Sequence, residues 1–265
     1  MKNIAATFLL GFVALITLNT HAAIQTKEVT YKAGDTTLKG FVAWDDAIKG
    51  KTPGVIVAHE FWGLNDYARE RAKKIAGLGY TALALDMYGD GKWSDHPKEA
   101  GEMFNAVMGD AAVRTARFNA AYEALKQQPT VDASHIGAIG YCMGGAVILQ
   151  AARAGTDLDV VASFHGALGA KERATKGDIK AKVLVFNGEA DSFVPAEQVA
   201  ALKQEMKDAG ADFTYVGYPG VKHSFTNPNA DKVAKEFGMD IGYDAKADAD
   251  SWSKLQPALK AAFAK

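Results

Sequence analysis

The six residues Gly140-Tyr141-Cys142-Met143-Gly144-Gly145 constrain this chain more than any other stretch of it. Ser134 to Ile139, just before them, has β character, and Ala146 to Ala154, just after, reads as a buried helix closed by Gly155. The order is therefore strand, sharp turn, helix. A G-x-nucleophile-x-G turn in that setting holds its central residue in a strained conformation and exposes it. The flanking glycines keep side chains clear, and the helix N-terminus supplies backbone N–H groups. Here the central residue is Cys142, the only cysteine of the chain. Two readings stand at this point: a small buried hydrophobe, as most free cysteines are, or an exposed nucleophile.

The rest of the chain repeats the same alternation. Gln25 to Tyr31 and Thr36 to Trp44 read as two strands joined by the turn Ala33-Gly34-Asp35. Val55 to Ala58 is a continuous apolar run of the kind buried on both faces of a parallel sheet, and it ends in His59-Glu60-Phe61-Trp62-Gly63. Asn65-Asp66 caps a helix that runs to about Ala76 and stops at Gly77-Leu78-Gly79. Tyr80 to Leu85 is the next strand, followed by Asp86-Met87-Tyr88-Gly89-Asp90-Gly91 and a Gly-rich rim through Lys92, Trp93 and Pro97. The spacing of Val113, Phe118, Tyr122 and Leu125 predicts core-packing helices over 98–108 and 110–127. Beyond the Cys142 turn, strands are expected at 159–164, 180–186 and 212–218, with a helix to about Ala209 and a closing helix from Asp248 to Phe263. Strands alternating with helices, with no linker, charge run or repeat, give an α/β fold: one doubly wound, mostly parallel sheet with helices on both faces.

Composition narrows the partners. With 265 residues, 48% hydrophobic and 23% charged, the chain is long enough for one large α/β domain. A formal net charge of -1 leaves no basic surplus to attract nucleic acid. Met1-Lys2-Asn3, the uncharged apolar run Ile4 to Leu18, and Thr20 and Ala22 before Ala23 form the three parts of a secretory signal. Cleavage after Ala22 is expected, with residues 1–22 removed and 23–265 forming the domain, periplasmic or secreted. The apolar run is too short for stable membrane insertion, which needs roughly 18 to 20 residues. A single cysteine forms no internal disulfide, so Cys142 remains a thiol or pairs with another molecule. No cofactor motif is expected: the elbow glycines lack the dinucleotide pattern. His59-Glu60 lacks the second histidine a zinc helix needs, since position 63 is Gly63.

Cys142, Asp191 and His223 each follow a predicted strand, in the order nucleophile, acid, histidine that α/β-hydrolase triads use. His165, also at a strand end, is a second candidate, although such histidines are more often hydrogen-bonded structural residues. Together with His59-Glu60-Phe61-Trp62-Gly63-Leu64, Asp86-Met87-Tyr88-Gly89, Gly188-Glu189-Ala190-Asp191, Val194-Pro195 and Tyr218 to Phe225, the elbow resembles the dienelactone hydrolase family of α/β-hydrolases across nearly all of the mature chain. The resemblance implies a Cys142-His223-Asp191 triad and an oxyanion hole made by the N–H groups of Phe61 and Met143. It also implies that Glu60 is an extra carboxylate interacting with the resting thiol. The rival reading of Glu60 is a helix cap or the partner of a nearby cation.

Trp62, Tyr88, Lys92 and Phe225 are the candidate substrate contacts. Dienelactone-specific members are similar in placing arginines near the Asp-x-Tyr loop and after the His-x-Phe motif. This chain has none in 86–92 or 223–227, and Lys92 is a point charge rather than a bidentate fork. The expected substrate is a small ester or lactone, with dienelactone itself disfavoured. A thiol-based redox protein is a second function class, though a resolving cysteine is missing. A non-catalytic binding protein on the same fold is the third.

Overall fold

The computed structural model describes residues 23–264, so the expected signal segment lies outside the described residues. Eight strands form one sheet: β1 (Ile24–Ala33), β2 (Thr36–Asp45), β3 (Thr52–Ala58), β4 (Thr81–Ala84), β5 (Val131–Tyr141), β6 (Val160–Phe164), β7 (Lys182–Gly188) and β8 (Phe213–Tyr218). The helices are α1 (Asp66–Ala76), α2 (Pro97–Met108), α3 (Ala111–Lys126), α4 (Met143–Arg153), α5 (Ala196–Ala209), α6 (Ala230–Phe237) and α7 (Ala245–Ala262). The strand order is β1-β2-β4-β3-β5-β6-β7-β8, antiparallel from β1 through β4 and parallel from β4 to β8.

Alternation within each central strand divides the core into two. Val55 and Val57 of β3 pack with Ala72 and Ile75 of α1 and Leu255 and Leu259 of α7. Ile56 and Ala58 pack on the other face with Phe118 and Leu125 of α3 and Val147 and Ile148 of α4. This is why the strand reads as an unbroken apolar run: both of its faces are covered. Each fully buried aliphatic side chain contributes about 1.5–3 kcal/mol. The mostly parallel, doubly wound sheet expected from the sequence is the one observed. β3 lies between β4 and β5, so the connections from β3 to β4 and from β4 to β5 run in opposite directions along the sheet, and the crevice at its C-terminal end is where such sheets bind ligands.

A row of aromatic side chains underlies that end. Tyr141, Phe164 and Phe186 are register partners on β5, β6 and β7, and their rings stack in sequence at 4.9 Å. The residues that follow them are Cys142, His165 and Asn187.

Boundaries follow the caps. The Asn65 side chain accepts the Ala68 N–H at 3.3 Å and starts α1, and Gly77 ends it. The closing helix begins at Ala245, ahead of the expected Asp248, because the Asp244 carboxylate accepts from Lys246 and Ala247 N–H at 3.0 and 2.8 Å. Helix α4 begins at Met143 rather than Ala146, so Gly144 and Gly145 belong to its first turn. Helix α6 has no counterpart in the sequence reading; it ends on Gly238 in the left-handed region at φ 66°.

Candidate active site

The elbow is built by close backbone approach. A Cβ on Gly140 would lie 2.3 Å from the Gly144 carbonyl oxygen, and one on Gly144 would lie 2.2 Å from the Ala58 carbonyl oxygen. Only glycine allows β5, α4 and the end of β3 to meet this closely. Cys142, at the cap position of α4, has φ 52° and ψ -116°, a conformation that costs a non-glycine residue about 1–3 kcal/mol and persists only where the surroundings impose it. Its N–H is shared between the Phe164 carbonyl at 3.0 Å and His165 Nδ1 at 3.1 Å. The side chain remains partly exposed.

His223, on the loop after β8, and Asp191, on the loop after β7, converge on the thiol. His223 Nδ1 donates to Asp191 Oδ2 at 2.8 Å, and Asp191 Oδ1 accepts the Phe193 N–H at 2.9 Å. Cys142 lies close enough to the imidazole to act on its protonation. Burial opposes a charge on His223, but the charge and hydrogen bonds of Cys142 and Asp191 together outweigh it and push the imidazole up to about 10. The arrangement therefore sets the thiol beside an imidazole that favours its protonated form.

No hydrogen bond among the described residues uses the N–H of Phe61 or Met143, while their neighbour Gly144 donates to the His59 carbonyl at 3.0 Å. That bond ties the β3 loop to the first turn of α4. His59 is fully buried and donates from Nδ1 to the Glu60 carbonyl at 2.5 Å, while its Nε2 accepts the Met87 N–H at 3.2 Å. Burial keeps it neutral, as this pair of roles requires. Tyr88 completes the support, its hydroxyl donating to the Phe61 carbonyl at 2.7 Å and lying 3.4 Å from Met143 Sδ. Asp86 shapes the Tyr88 loop by accepting the N–H groups of Tyr88, Gly89 and Gly91 at 2.8, 2.8 and 2.7 Å.

Glu60 bonds to the His223 loop. Its Oε1 accepts from Ser224 Oγ at 3.1 Å and its Oε2 from Asn227 Nδ2 at 2.6 Å, and no hydrogen bond joins it to Cys142 among the described residues. Nor does it cap a helix. Two donors of the His223 loop, Ser224 and Asn227, take its two oxygens. Glu60 is buried, which raises its carboxyl above the usual range despite the opposing hydrogen bond from Asn227 and charge of His223. In this arrangement it brackets the Phe61 loop to the His223 loop.

The model of the Dienelactone hydrolase family matches residues 38–263. The chain belongs to that family. A solved structure described as m3DLH is 37% identical, covers 91% of this chain and 99% of its own, and superposes with a TM-score of 0.85. The structure of a dienelactone hydrolase-like promiscuous phosphotriesterase, P91, from metagenomic libraries is 36% identical over 90% of this chain and 98% of its own, with a TM-score of 0.82. Among curated proteins, protein usf of Aquifex pyrophilus is 28% identical over 230 residues, 85% of this chain and 94% of its own.

Within this dienelactone hydrolase framework, the expected substrate contacts separate. Trp62 is buried and tilts against Phe61 at 4.2 Å, and Tyr88 faces the thiol closely enough that the thiolate charge adds to burial in raising its phenol. Lys92 is exposed and has no ion-pair partner among the described residues. Phe225 is a correction: it is fully buried in the core beneath α1 and α7, edge-on to His165 at 5.3 Å, and supports the histidines instead of meeting substrate. The exposed aromatics are Trp93, paired through its backbone with Gly63, and Phe193, whose ring lies 5.0 Å from His223. A cavity of about 600 Å³ lies elsewhere, between α3, α4 and residues 169–172, and neither Cys142 nor His223 lines it.

The sequence reading gave no role to Arg71 or Thr226 and left His165 undecided. Arg71 is buried, donates to the Thr226 carbonyl, and pairs with Asp248 at 2.8 Å. No local signal marks such residues, because their partners lie on other elements. A charged residue on the inward side of an amphipathic helix, as Arg71 is between Ala68, Ala72 and Ile75, is the one trace they leave in the sequence.

Proposed function

We propose that this dienelactone hydrolase-like hydrolase cleaves a small uncharged ester or lactone through an acyl-cysteine intermediate on Cys142. One observation carries the reading: a thiol held in a strained turn against a buried His223, whose other nitrogen is anchored on Asp191. The Cys142 thiolate attacks the carbonyl carbon, and the π electrons move onto oxygen, which the N–H groups of Phe61 and Met143 receive. Collapse of the tetrahedral species breaks the carbon–oxygen ester bond, and the imidazolium of His223 protonates the departing alkoxide. In a lactone that alkoxide stays on the same molecule. His223 then takes a proton from water as the hydroxide attacks the thioester, and the thiolate leaves. Asp191 holds the imidazole in the required tautomer throughout.

The substrate class follows from the rim. Arg71 is committed to Asp248 and Thr226, Lys92 is exposed, and the groups around His223 and Phe61 are Phe193, Trp62 and Trp93. Such a rim favours a neutral, flat or apolar substrate. A neutral phosphotriester belongs in the same panel, given the 36% identity to the promiscuous phosphotriesterase. Residues 1–22 are proposed to be a signal that sends the enzyme to the periplasm or beyond, which N-terminal sequencing of the mature protein from fractionated cells tests.

The decisive experiment is turnover of p-nitrophenyl esters, small lactones and a neutral phosphotriester by parent and Cys142→Ala, with intact mass of the enzyme trapped during turnover. The expected result is an added acyl mass in the parent and no turnover in the variant. Undiminished hydrolysis by folded Cys142→Ala overturns the nucleophile assignment. Peroxide consumption without ester turnover would mark a redox protein instead.

A further inference from the structure

Cys142 and His223 are delivered by strands that do not touch. β5 carries the thiol and β8 leads to the imidazole, with β6 and β7 between them. At the end of β6 stands His165, fully buried and itself held at φ 41°. Its Nδ1 accepts the Cys142 N–H at 3.1 Å, and its Nε2 lies 2.7 Å from Thr226 Oγ1 on the loop that carries His223. The Cys142 amide is a donor, so Nδ1 carries the lone pair and Nε2 the proton that Thr226 accepts. One ring thus touches the nucleophile's backbone on one side and the base's loop on the other.

Thr226 is itself pinned. Its hydroxyl lies 2.6 Å from the Tyr67 hydroxyl, and its carbonyl accepts from Arg71, whose guanidinium pairs with Asp248 of α7 at 2.8 Å. The Arg71 head lies 5.1 Å from the rings of both Tyr67 and Tyr141. His165 therefore rests against an anchor tied to α1 and α7, while the loop end at His223 is joined to Ile241 and Gly242. Burial, followed by the charge of His223, holds the His165 ring neutral, which preserves the lone pair that the Cys142 N–H needs.

We propose that His165 is a positioning residue that sets the separation of Cys142 from His223, acting through its paired hydrogen bonds to the Cys142 N–H and Thr226 Oγ1. It touches no reacting atom. The inference rests on Cys142 and His223 being nucleophile and base, and the test separates the two ideas because thiol reactivity is read without any substrate.

Four variants of the full mature chain decide it. His165→Phe keeps a ring among Tyr141, His223 and Phe225 but has no acceptor; His165→Asn keeps an oxygen near the Nδ1 place and loses the reach to Thr226. Thr226→Val keeps the volume and removes the hydroxyl, and the fourth is the double variant His165→Phe/Thr226→Val. Each is measured for kcat and KM on p-nitrophenyl acetate, for the rate of Cys142 alkylation by iodoacetamide, and for thermal unfolding. His165→Phe should lower kcat and the alkylation rate on the order of 10- to 100-fold with KM within about 2-fold, the size expected when a reacting pair is displaced by a fraction of an ångström to one ångström. His165→Asn should recover part of that loss. Thr226→Val should fall less than His165→Phe, and the double variant should be no worse than His165→Phe alone, since both remove one link. Parent-like kcat and alkylation in folded His165→Phe overturn the proposal, as does a double variant whose loss is the product of the single losses. If His165→Phe fails to fold, parent-like values in both His165→Asn and Thr226→Val overturn it equally. A parent that alkylates readily yet hydrolyses nothing sinks the esterase reading while the alkylation series still judges His165.

Discussion

The ends of β5 and β8 position Cys142 and His223 by opposite means. At β5 the work is done by backbone: glycines at 140 and 144 let main-chain atoms pack where no Cβ fits, and no side chain caps the helix that follows. At β8, a partly exposed edge strand, the work is done by side chains reaching in from elsewhere: Asp191, Glu60, His165 and Arg71 each hold a different point of the 223–227 loop. A thiol set by steric closure has little freedom to drift. An imidazole set by a ring of hydrogen bonds can be displaced without disturbing the core. Lesions at the first site should therefore appear as loss of fold, and lesions at the second as loss of rate.

Gly140→Ala is the largest test of that contrast. The added methyl meets backbone, which cannot rotate away, and destabilisation of at least about 3 kcal/mol is expected by urea unfolding. A variant as stable as the parent would show that the elbow is looser than described.

His223→Ala comes next and should separate rate from stability. Turnover should fall on the order of 10⁴- to 10⁶-fold, the range seen when a triad member is lost. The folded-state imidazole is raised to about 10 from an ordinary 6.5, so its contribution to stability is complete below pH 6.5 and disappears as the pH rises through about 10. The gap in unfolding free energy between parent and variant should shrink across that window. A gap that widens with pH would contradict the ion-pair geometry.

Glu60→Gln should be milder, about a 10-fold fall in kcat as the bracket between the Phe61 and His223 loops loosens. Because Glu60 is bonded to Ser224 and Asn227 and not to the thiol, alkylation of the free enzyme should not accelerate. Acceleration would restore the resting-thiol contact that the family resemblance implies. Smallest of all, Phe193→Ala should raise KM for an aryl ester about 3- to 10-fold and leave the melting temperature unchanged, since the ring is half exposed.

What was legible in the sequence tracks how local its cause is. Asn65 caps α1 and Gly77 ends it, both within one turn of the residues they serve. The run Val55 to Ala58 announces a strand covered on both faces, and Gly140 to Gly145 announces the turn. Cys142, Asp191 and His223 were singled out because each follows a strand, in an informative order. Glu60 was singled out, but its partners were not, because Ser224 and Asn227 lie across the sheet from it in sequence. Phe225 looked like a pocket residue from its place two positions after His223; it turns into the core because Ser224 between them sits in the left-handed region at φ 58° and breaks the alternation of the loop. Helix α6, too short to show a period, and the roles of His165, Thr226 and Arg71 depend on contacts between distant elements, which no local pattern records.

The stacked row Tyr141, Phe164 and Phe186 has a further bearing, on how such an enzyme changes over generations. The row lies wholly in the core and holds the ends of three neighbouring strands at the fixed pitch of a sheet, so the residues that follow inherit their spacing from it. Trp93 and Phe193, at the mouth, contribute little to that core, being 55% and 50% exposed. Inheritance of the chemistry and experiment with the diet are thus assigned to different atoms: a lineage can trade rim residues in pursuit of new compounds while Cys142 and His165 keep their places. Selection for a new substrate should accordingly leave its marks in the loops around 93 and 193 long before it reaches the aromatic row.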